Sequence, residues 1–312
     1  MSAPETRIIA ADDAGVAQAA RLILAGEPVA LPTETVYGLA ADATSGEAVA
    51  RVYAAKGRPG FNPLIVHVGS LAEAERIGRF GASARTLAER WWPGPLTLVV
   101  PLREDAAIAS LVTAGLPTVA LRASAHEVMR AVIAAAGRPL AAPSANASGR
   151  ISATRAEHVV ASLGGRIPLI LDGGPTAHGL ESTIVAATGE GLRLLRPGPI
   201  PAAELGIAEG AGARPEGIEA PGQLASHYAP AKKLRLDATQ AEPGEWLIGF
   251  AAVTGHATLS EEGDLTQAAA RLFDRLHQAD ASLHRAIAVA PIPEEGVGAA
   301  INDRLRRAAA PR

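Results

Sequence analysis

The chain has no cysteine among its 312 residues. It can therefore form no disulfide bond, thiolate nucleophile or cysteine zinc site, which is typical of a protein kept in a reducing compartment. The first residues, MSAPETRIIAADD, lack the basic start and apolar run of a signal peptide. A run of about 18 apolar residues, which a transmembrane helix needs, is also missing. We therefore expect a cytoplasmic protein without a membrane partner.

Aromatic residues make up only 3% of the chain, and lysine occurs three times, at positions 56, 232 and 233. The net charge is −3, so no bulk attraction for nucleic acid is expected. Surfaces that bind single strands need basic side chains interleaved with exposed aromatic rings, and this chain has few of either. We therefore expect no stable complex with nucleic acid.

The pattern of apolar residues predicts an α/β (α+β) fold whose core is built mainly from Ala, Val, Leu and Ile. Strand-like runs occur at residues 28–31, 64–68, 96–100, 118–122, 168–172, 182–186 and 192–196, and helical periodicity at 16–25, 71–79, 83–91, 126–136 and 154–163. Their order is not a strict βαβ repeat, so we expect a mixed sheet with some antiparallel pairs. Thr44 and Glu47 have capping-box spacing and predict a helix that stops at Gly57, with Lys56 in its final turn.

The pattern disappears from about Gly206 to Pro230, where glycine, proline and small residues predict a linker. Beyond it, three strands alternate with two helices, which predicts a small three-layer α/β unit. We therefore predict a larger domain over 1–206, a linker over 207–232 and a C-terminal domain over 233–312. A flexible spacer needs no aromatic ring, so His227 and Tyr228 either dock elsewhere or pack within the loop.

Polar side chains follow several of the predicted strands. They occur in LPTETVYG (31–38), PSANASGRISA (143–153), LDGGPTAHGLESTIV (171–185) and LLRPGPI (194–200). Each loop alone is more often a turn or a helix cap. Together with Lys56, Arg58, Arg122 and Arg196, they indicate a crevice that suits a nucleotide and a small polar co-substrate.

Lys56 and Arg58 in KGRPGFNPLIV have two explanations. Cations are favourable at the negative end of a helix dipole, but a Lys point charge and an Arg fork can also hold different oxygens of a phosphate chain. The motifs G-x-x-x-x-G-K-[ST], G-x-G-x-x-G after a strand, H-x-E with C-x-x-C, and G-x-S-x-G do not occur. This disfavours P-loop, dinucleotide redox, zinc deaminase and serine hydrolase functions.

Several motifs occur in a fixed order: PTETVYGLAADA, the K-x-R of KGRPGFNPLIVHV, WPGPLTLVV, the S-x-N of APSANASG, ESTIV, LRPG and PGQLASHYAP. This set resembles the threonylcarbamoyl-AMP synthase family, the YrdC type, in its longer two-domain form. The resemblance runs through residues 7–230, and GVGAAINDRLRRAA is similar to the family's final helix. It implies a twisted mixed sheet with helices around a concave crevice, followed by a small Rossmann-like three-layer domain.

The resemblance also implies an enzyme that joins L-threonine, bicarbonate or CO2 and ATP into threonylcarbamoyl-AMP and pyrophosphate. This is the first step towards N6-threonylcarbamoyladenosine in tRNA. The resemblance also implies Mg2+, which would be bound together with ATP and held mainly by the ATP phosphates. It implies no organic cofactor. A transferase-complex protein that passes the product to tRNA is a further implied partner.

The matching positions imply roles for individual residues. Lys56 and Arg58 would stabilise the leaving pyrophosphate and so act in catalysis. ATP would contact Lys56, Arg58, Asn62, Thr118, Ser144, Asn146, Ser152, Arg196 and Tyr228. Threonine would contact Thr35, His67, Arg122 and Ser182. His227 and Tyr228 would fold over the crevice as a lid and keep water from the labile mixed anhydride.

One position departs from the family, whose linker usually has Met where this chain has Gln223. An RNA-binding module of the YrdC type, without adenylate synthesis, is the alternative function, but it predicts surplus basic residues and exposed aromatic rings. A carbamoyl-adenylate enzyme of hydrogenase maturation is another, but such chains carry Cys-rich zinc modules and an acylphosphatase unit. The absence of cysteine disfavours it.

Overall fold

The protein is described by a computed structural model over residues 5–60, 62–189, 191–207, 219–223 and 226–311. A 10-stranded sheet accounts for most of the chain. Its strands are β1 (Arg7–Ala10), β2 (Val29–Leu31), β3 (Gly38–Asp42), β4 (Ile65–His67), β5 (Leu96–Pro101), β6 (Thr118–Arg122), β7 (Leu140–Ala141), β8 (Leu169–Asp172), β9 (Thr183–Ala186) and β10 (Arg193–Arg196). The helices that accompany them are α1 (Asp13–Leu24), α2 (Gly46–Lys56), α3 (Leu71–Ala74), α4 (Ala82–Trp91), α5 (Ser110–Thr113), α6 (Glu127–Ala136) and α7 (Ala156–Leu163).

The strand order is β1-β8-β2-β3-β7-β4-β6-β5-β9-β10. The sheet contains both parallel pairs, such as β4 with β6, and antiparallel pairs, such as β5 with β6, which confirms the predicted mixed sheet. Helices cover both faces, because successive side chains of a strand point to opposite sides. In β2, for example, Val29 and Leu31 belong to one apolar cluster and Ala30 to another.

A 4-stranded sheet follows, in the order β11-β14-β12-β13. Its elements are β11 (Lys233–Arg235), β12 (Glu245–Gly249), β13 (Ala257–Thr258), α8 (Leu265–Ala281), β14 (Ala286–Val289) and α9 (Gly298–Ala309). All its pairs are parallel. Both helices pack in the cluster that contains Ile287 and Val289, whereas Ala288 packs against Ala238 and Val253 of loops. The third layer of this unit is therefore made by loops, since the apolar stripes of both helices meet the same face.

The second unit packs directly on the first. Leu180 and Ile151 of the first unit share an apolar cluster with Phe273 of α8. Gly179 permits the contact: its φ is +66°, and a Cβ atom there would lie 2.4 Å from the carbonyl oxygen of Ala270. The loop before β9 is thereby held against α8.

The predicted boundaries at 206 and 232 fall between the two sheets. Of the linker, residues 208–218 and 224–225 lie outside the described residues. In the part of the chain that is described, no helix has both the length and the apolar character that a bilayer-spanning segment requires.

Candidate functional site

Residues from several strands of the large sheet and the loops beside them surround a small cavity. Its lining comes from the residues that follow β2 and β7, from β4, from the last residues of β6 and β10, and from the residues that precede β9. The cavity has a volume of about 40 Å³. Its lining includes nine of the predicted site residues: Thr35, Arg58, His67, Arg122, Ser144, Ser182, Arg196, His227 and Tyr228. All four residues predicted for threonine therefore face one space.

Arg122 ends β6 and is 3% exposed. Its guanidinium forms an ion pair with Glu34, with 2.7 Å between Nη2 and Oε1, and its Nε donates to the carbonyl of Gly94 at 3.3 Å. Ser124 Oγ donates to the other Glu34 oxygen. Burial alone would raise the pKa of Glu34, but Arg122 and Ser124 lower it to about 2. The carboxylate thus stays ionised and fixes the direction of the guanidinium.

Sequence reasoning gave no role to Glu34. It was noticed only as part of the polar loop after β2, and the ion pair depends on two residues about 90 positions further along the chain. Nothing in the local pattern distinguishes Glu34 from a turn residue. Its position directly after a buried strand is the single available signal.

His67 ends β4 and lies opposite Arg122 in the parallel register of β4 and β6. Burial lowers its pKa to about 3, and the charge of Arg122 contributes to this shift. The ring is therefore neutral at physiological pH. Among the described residues, nothing is hydrogen-bonded to its buried Nδ1 atom. His67 is therefore buried with an unsatisfied ring nitrogen, which fits a residue that contacts a ligand better than a packing residue.

Thr35 lies beside this pair and is fully buried. Thr33 Oγ1 donates to the carbonyl of Val36 at 2.6 Å and lies 2.9 Å from Thr35 Oγ1. Because the proton of Thr33 is already used, Thr35 is the donor of the bond between them. The lone pairs of Thr35 and of neutral His67 are then able to accept hydrogen bonds from an amine.

Ser182 and Arg196 form a second polar group. Ser182 Oγ lies 2.7 Å from Thr97 Oγ1 and accepts a bond from Arg196 Nη2 at 3.0 Å. Arg196 Nε donates to the Ser182 carbonyl at 3.1 Å, and its Nη1 donates to the Pro221 carbonyl at 3.4 Å. The guanidinium therefore joins the loop before β9 to the linker.

Lys56 ends α2 as predicted, and Gly57 follows with a left-handed φ of 61° that turns the chain. The side chain is 2% exposed, and its Nζ donates to the carbonyl of Ser144 at 2.5 Å and to the carbonyl of Asn146. Burial, together with the nearby charge of Arg58, lowers the pKa of Lys56 well below its usual value. Lys56 thus holds the S-x-N loop at the edge of the cavity.

Arg58 lines the cavity itself. Its Nε donates to the Asn62 carbonyl at 3.2 Å and its Nη2 to the Pro63 carbonyl at 2.9 Å. Burial lowers its pKa to about 10, so it remains a cation at neutral pH.

The other predicted ATP contacts lie outside the cavity lining. Asn146 and Asn62 are buried behind it, and the side-chain amide of Asn146 donates to the carbonyls of Ala147 and Arg150. Ser152 Oγ donates to Glu181. Thr118 begins β6, at the opposite end of the strand from Arg122, so it is about 13 Å away along the strand. The structure does not bring Thr118 to the cavity.

The described part of the linker enters the crevice. Pro221, Gly222, His227 and Tyr228 all line the cavity, and the His227 and Tyr228 rings are 6% and 1% exposed. Small-molecule sites commonly have volumes of roughly 300–1000 Å³, so about 40 Å³ leaves no room for ATP. The space that these linker residues leave in the crevice is therefore too small for a whole nucleotide.

Gln223 does not point into the cavity. Its Oε1 accepts from the backbone N–H groups of Glu219 at 2.8 Å and Ala220 at 3.1 Å. The amide thereby closes a turn of the linker, which an apolar Met side chain could not do.

The described residues around the cavity offer no set of side-chain ligands for Mg2+. Within the described ranges no group of three or more His, Asp or Glu side chains is arranged to hold a metal ion. Glu181 lines the cavity and is in an ion pair with Arg304, and Glu34 is in an ion pair with the lining residue Arg122.

Two family profiles match the chain. The profile described as "Telomere recombination" matches residues 21–198, and the one described as "Threonylcarbamoyl-AMP synthase, C-terminal domain" matches residues 193–310. The threonylcarbamoyl-AMP synthase of Bacillus subtilis is 39% identical, over 96% of this chain and 94% of its own length. The threonylcarbamoyl-AMP synthase of Pyrococcus abyssi is 38% identical, over 93% of this chain and 92% of its own length.

Solved structures of related proteins have a similar fold. The crystal structure of P. abyssi Sua5 complexed with L-threonine superposes with a TM-score of 0.87 at 35% identity, and covers 98% of this chain and 97% of that one. E. coli YciO, at 18% identity and a TM-score of 0.55, shares the fold over 62% of this chain.

Proposed function

Because the chain belongs to the threonylcarbamoyl-AMP synthase family, we propose that its crevice converts L-threonine, bicarbonate and ATP into L-threonylcarbamoyl-AMP and pyrophosphate. The product serves the N6-threonylcarbamoyladenosine modification of tRNA. One observation carries the assignment to this site: Thr35, His67, Arg122 and Ser182 line the same cavity as the cations Arg58 and Arg196. An amino acid and a triphosphate can therefore meet there.

Threonine binding follows from the chemistry of these groups. Arg122, oriented by Glu34, suits a carboxylate, because a guanidinium presents two parallel N–H groups. Thr35 and neutral His67 accept hydrogen bonds from the amine. With a pKa of about 3, His67 orients the amine but does not keep its proton, which leaves to water.

The reaction then needs positioning more than acid or base catalysis. The threonine nitrogen forms a bond to the carbon of CO2 derived from bicarbonate and loses a proton. An oxygen of the resulting carbamate attacks the α-phosphorus in line, and the bond from that phosphorus to pyrophosphate breaks. Lys56 and Arg58 would stabilise the charge on pyrophosphate, and Mg2+ would arrive with ATP and share that charge.

The linker would leave the crevice as ATP enters and close again over the labile product. We also propose that the reaction takes place in the cytoplasm and that a transferase-complex protein receives the product. The RNA-binding alternative has no support in the site, since the cations that line the cavity are partly or fully buried.

The test is a product assay with labelled threonine, bicarbonate, ATP and Mg2+. We expect pyrophosphate release that depends on threonine, together with a labelled adenylate. Pyrophosphate release at the same rate without threonine would contradict the proposal, as would the absence of release when all substrates are present.

A further inference from the structure

Thr97 is a buried threonine behind the cavity. It belongs to β5, has no exposed surface and does not line the cavity itself. The sequence suggested no role for it, because threonine is common in strands. A hydroxyl group without solvent contact must find its hydrogen-bond partners within the protein. The partners of Thr97 can therefore be accounted for completely.

The hydroxyl proton of Thr97 has a single acceptor. Within the described residues, the one hydrogen bond of Thr97 Oγ1 joins it to Ser182 Oγ at 2.7 Å. If Ser182 were the donor, the proton of Thr97 would be buried without an acceptor, which costs free energy. Thr97 is therefore the donor of this bond and Ser182 the acceptor.

The two lone pairs of the Ser182 hydroxyl are then both in use. Arg196 Nη2 donates to the same oxygen at 3.0 Å, and a guanidinium can only donate. The bond from Arg196 Nε to the Ser182 carbonyl, at 3.1 Å, holds the guanidinium in place. A serine hydroxyl has two lone pairs and one proton, so the proton remains. Because Ser182 lines the cavity, this proton is available to a ligand there.

The pair formed by Thr33 and Thr35 has the opposite polarity. Thr33 donates to the Val36 carbonyl at 2.6 Å, so Thr35 is the donor of the bond between the two threonines. Thr35 therefore offers lone pairs to the cavity, whereas Ser182 offers a proton. An amino acid has the matching groups, an amine that donates and a carboxylate that accepts. The two pairs of hydroxyl groups thus favour one orientation of such a ligand.

We propose that Thr97 is a positioning residue which fixes the Ser182 hydroxyl as a hydrogen-bond donor to the carboxylate of the amino-acid substrate. The inference rests on the proposed function and specifies how the site orients that substrate. The amine is not the acceptor, because its lone pair forms the bond to CO2. Ser182 and Arg122 would hold the carboxylate together through charge-assisted hydrogen bonds, which are stronger than neutral ones.

The variants separate the Thr97 hydroxyl from the shape of the side chain. Thr97→Val removes the hydroxyl and keeps a β-branched side chain that suits a strand. Thr97→Ala also lacks the hydroxyl but places no added methyl group beside Ser182. Thr97→Ser keeps the hydroxyl. Thr113→Val is the matched control, because Thr113 is buried, does not line the cavity and donates to the Ser110 carbonyl at 3.2 Å.

The pyrophosphate assay measures KM for both substrates, and thermal unfolding shows that each variant is folded. We expect Thr97→Val and Thr97→Ala to raise the KM for threonine about fivefold, with kcat and the KM for ATP nearly unchanged. Thr97→Ser should rescue the KM for threonine. Adding Thr97→Val to Ser182→Ala should change that KM by less than about twofold, because Thr97 acts through Ser182. Thr113→Val should change neither KM.

The opposite direction of the bond predicts the opposite result. If Ser182 donated to Thr97, loss of the Thr97 hydroxyl would release the Ser182 proton to the substrate, and the KM for threonine would fall. A fall or no change in this KM would therefore overturn the proposal. A rise in the KM for ATP instead would also overturn it, since the hydroxyl would then serve a phosphate, and so would effects of Thr97→Val and Ser182→Ala that multiply.

Failure of the proposed function looks different from these outcomes. In that case the unchanged protein would release no pyrophosphate in response to threonine, and no KM for threonine could be measured in any variant.

Discussion

Gly222 lies in the lid between Arg196 and the Tyr228 hydroxyl. Its φ is +87°, and a Cβ atom there would lie 2.7 Å from Tyr228 Oη and 2.9 Å from Arg196 Cδ. Both neighbours are buried and held by further contacts, so neither can move away freely. Gly222→Ala should therefore destabilise the state in which the lid occupies the crevice.

The size of the effect can be separated into two parts. An alanine at positive φ costs about 1–2 kcal/mol through its backbone alone. Gly206 offers a matched control, because its φ is +69° and no atom lies within 4 Å of the added Cβ. A steric clash of the added methyl group therefore occurs in Gly222→Ala alone, and overpacking of this kind typically costs about 1–3 kcal/mol. This corresponds to a shift of about 5- to 150-fold in the ratio of closed to open lid.

Isothermal calorimetry with MgATP, in the absence of threonine, measures the shift. We expect Gly222→Ala to bind ATP at least about fivefold more tightly than Gly206→Ala, since the empty closed state competes with ATP. Thermal unfolding of both variants reports the shared backbone cost. Equal ATP affinities for the two variants, with both proteins folded, would refute the reasoning that lid and nucleotide share one space.

Other substitutions test the remaining parts of the site. Arg122→Lys keeps a charge beside Glu34 but loses the fork, so KM for threonine should rise about 10- to 100-fold in the pyrophosphate assay, with KM for ATP nearly unchanged. Lys56→Met should lower kcat about 100- to 1000-fold in the same assay, because the proposed donor to the leaving pyrophosphate is lost. Burial lowers the pKa of His158 from 6.5 to about 3. Between these two values the unfolded chain binds a proton at this ring and the folded protein does not, so the free energy of unfolding falls as the pH drops below about 6.5. His158→Gln should reduce that slope by about 1.4 kcal/mol per pH unit between pH 6 and 4, as urea unfolding would show.

Each of these expectations has a contrary result. A threonine KM that stays constant in Arg122→Lys would place the amino acid elsewhere. Full activity of Lys56→Met would show that its bonds to the S-x-N loop are structural only. An unchanged pH slope in His158→Gln would mean that this ring titrates equally in the folded and unfolded states.

The strands of the large sheet were predictable where β-branched and aliphatic residues are dense. The run 118–122 matches β6 residue for residue, and β7 (Leu140–Ala141) lies where an apolar strand was predicted before the loop 143–153. The strand β3 (Gly38–Asp42) was not predicted, because its sequence, GLAAD, is rich in glycine and alanine and carries little strand propensity. It is a strand because its central position in the sheet supplies partners on either side.

The ends of the helices were also predicted only approximately. Thr44 and Glu47 have capping-box spacing, but Ser45 is the residue whose side chain accepts from the Ala48 N–H. Thr44 instead donates its hydroxyl to Asp42 at 2.7 Å. The predicted helix over 71–79 ends at Ala74 for a comparable reason: the chain turns to pair Gly78 with Leu102. Tertiary partners decide such boundaries within a residue or a turn.

The site was predictable as a set of polar loops but not as a network. The family motifs place Arg122, Ser182 and Arg196, yet the carboxylates that pair with the arginines were not predicted. Glu34 and Glu181 acquire their roles only when Arg122 and Arg304 come close from distant parts of the chain. A sequence gives the inventory of charges, whereas pairing depends on the fold.

The pairing of charges shows what the linker contributes to the crevice. Arg122 is compensated by Glu34 and Arg304 by Glu181, but within the described residues no carboxylate forms a salt bridge with Lys56, Arg58 or Arg196. These three cations are where the triphosphate would bind, and without it they are satisfied by carbonyl groups. One of those carbonyls belongs to Pro221 of the lid, which accepts from Arg196. The lid therefore supplies an oxygen that a phosphate would replace, so ATP entry exchanges one set of acceptors for a stronger, charged one.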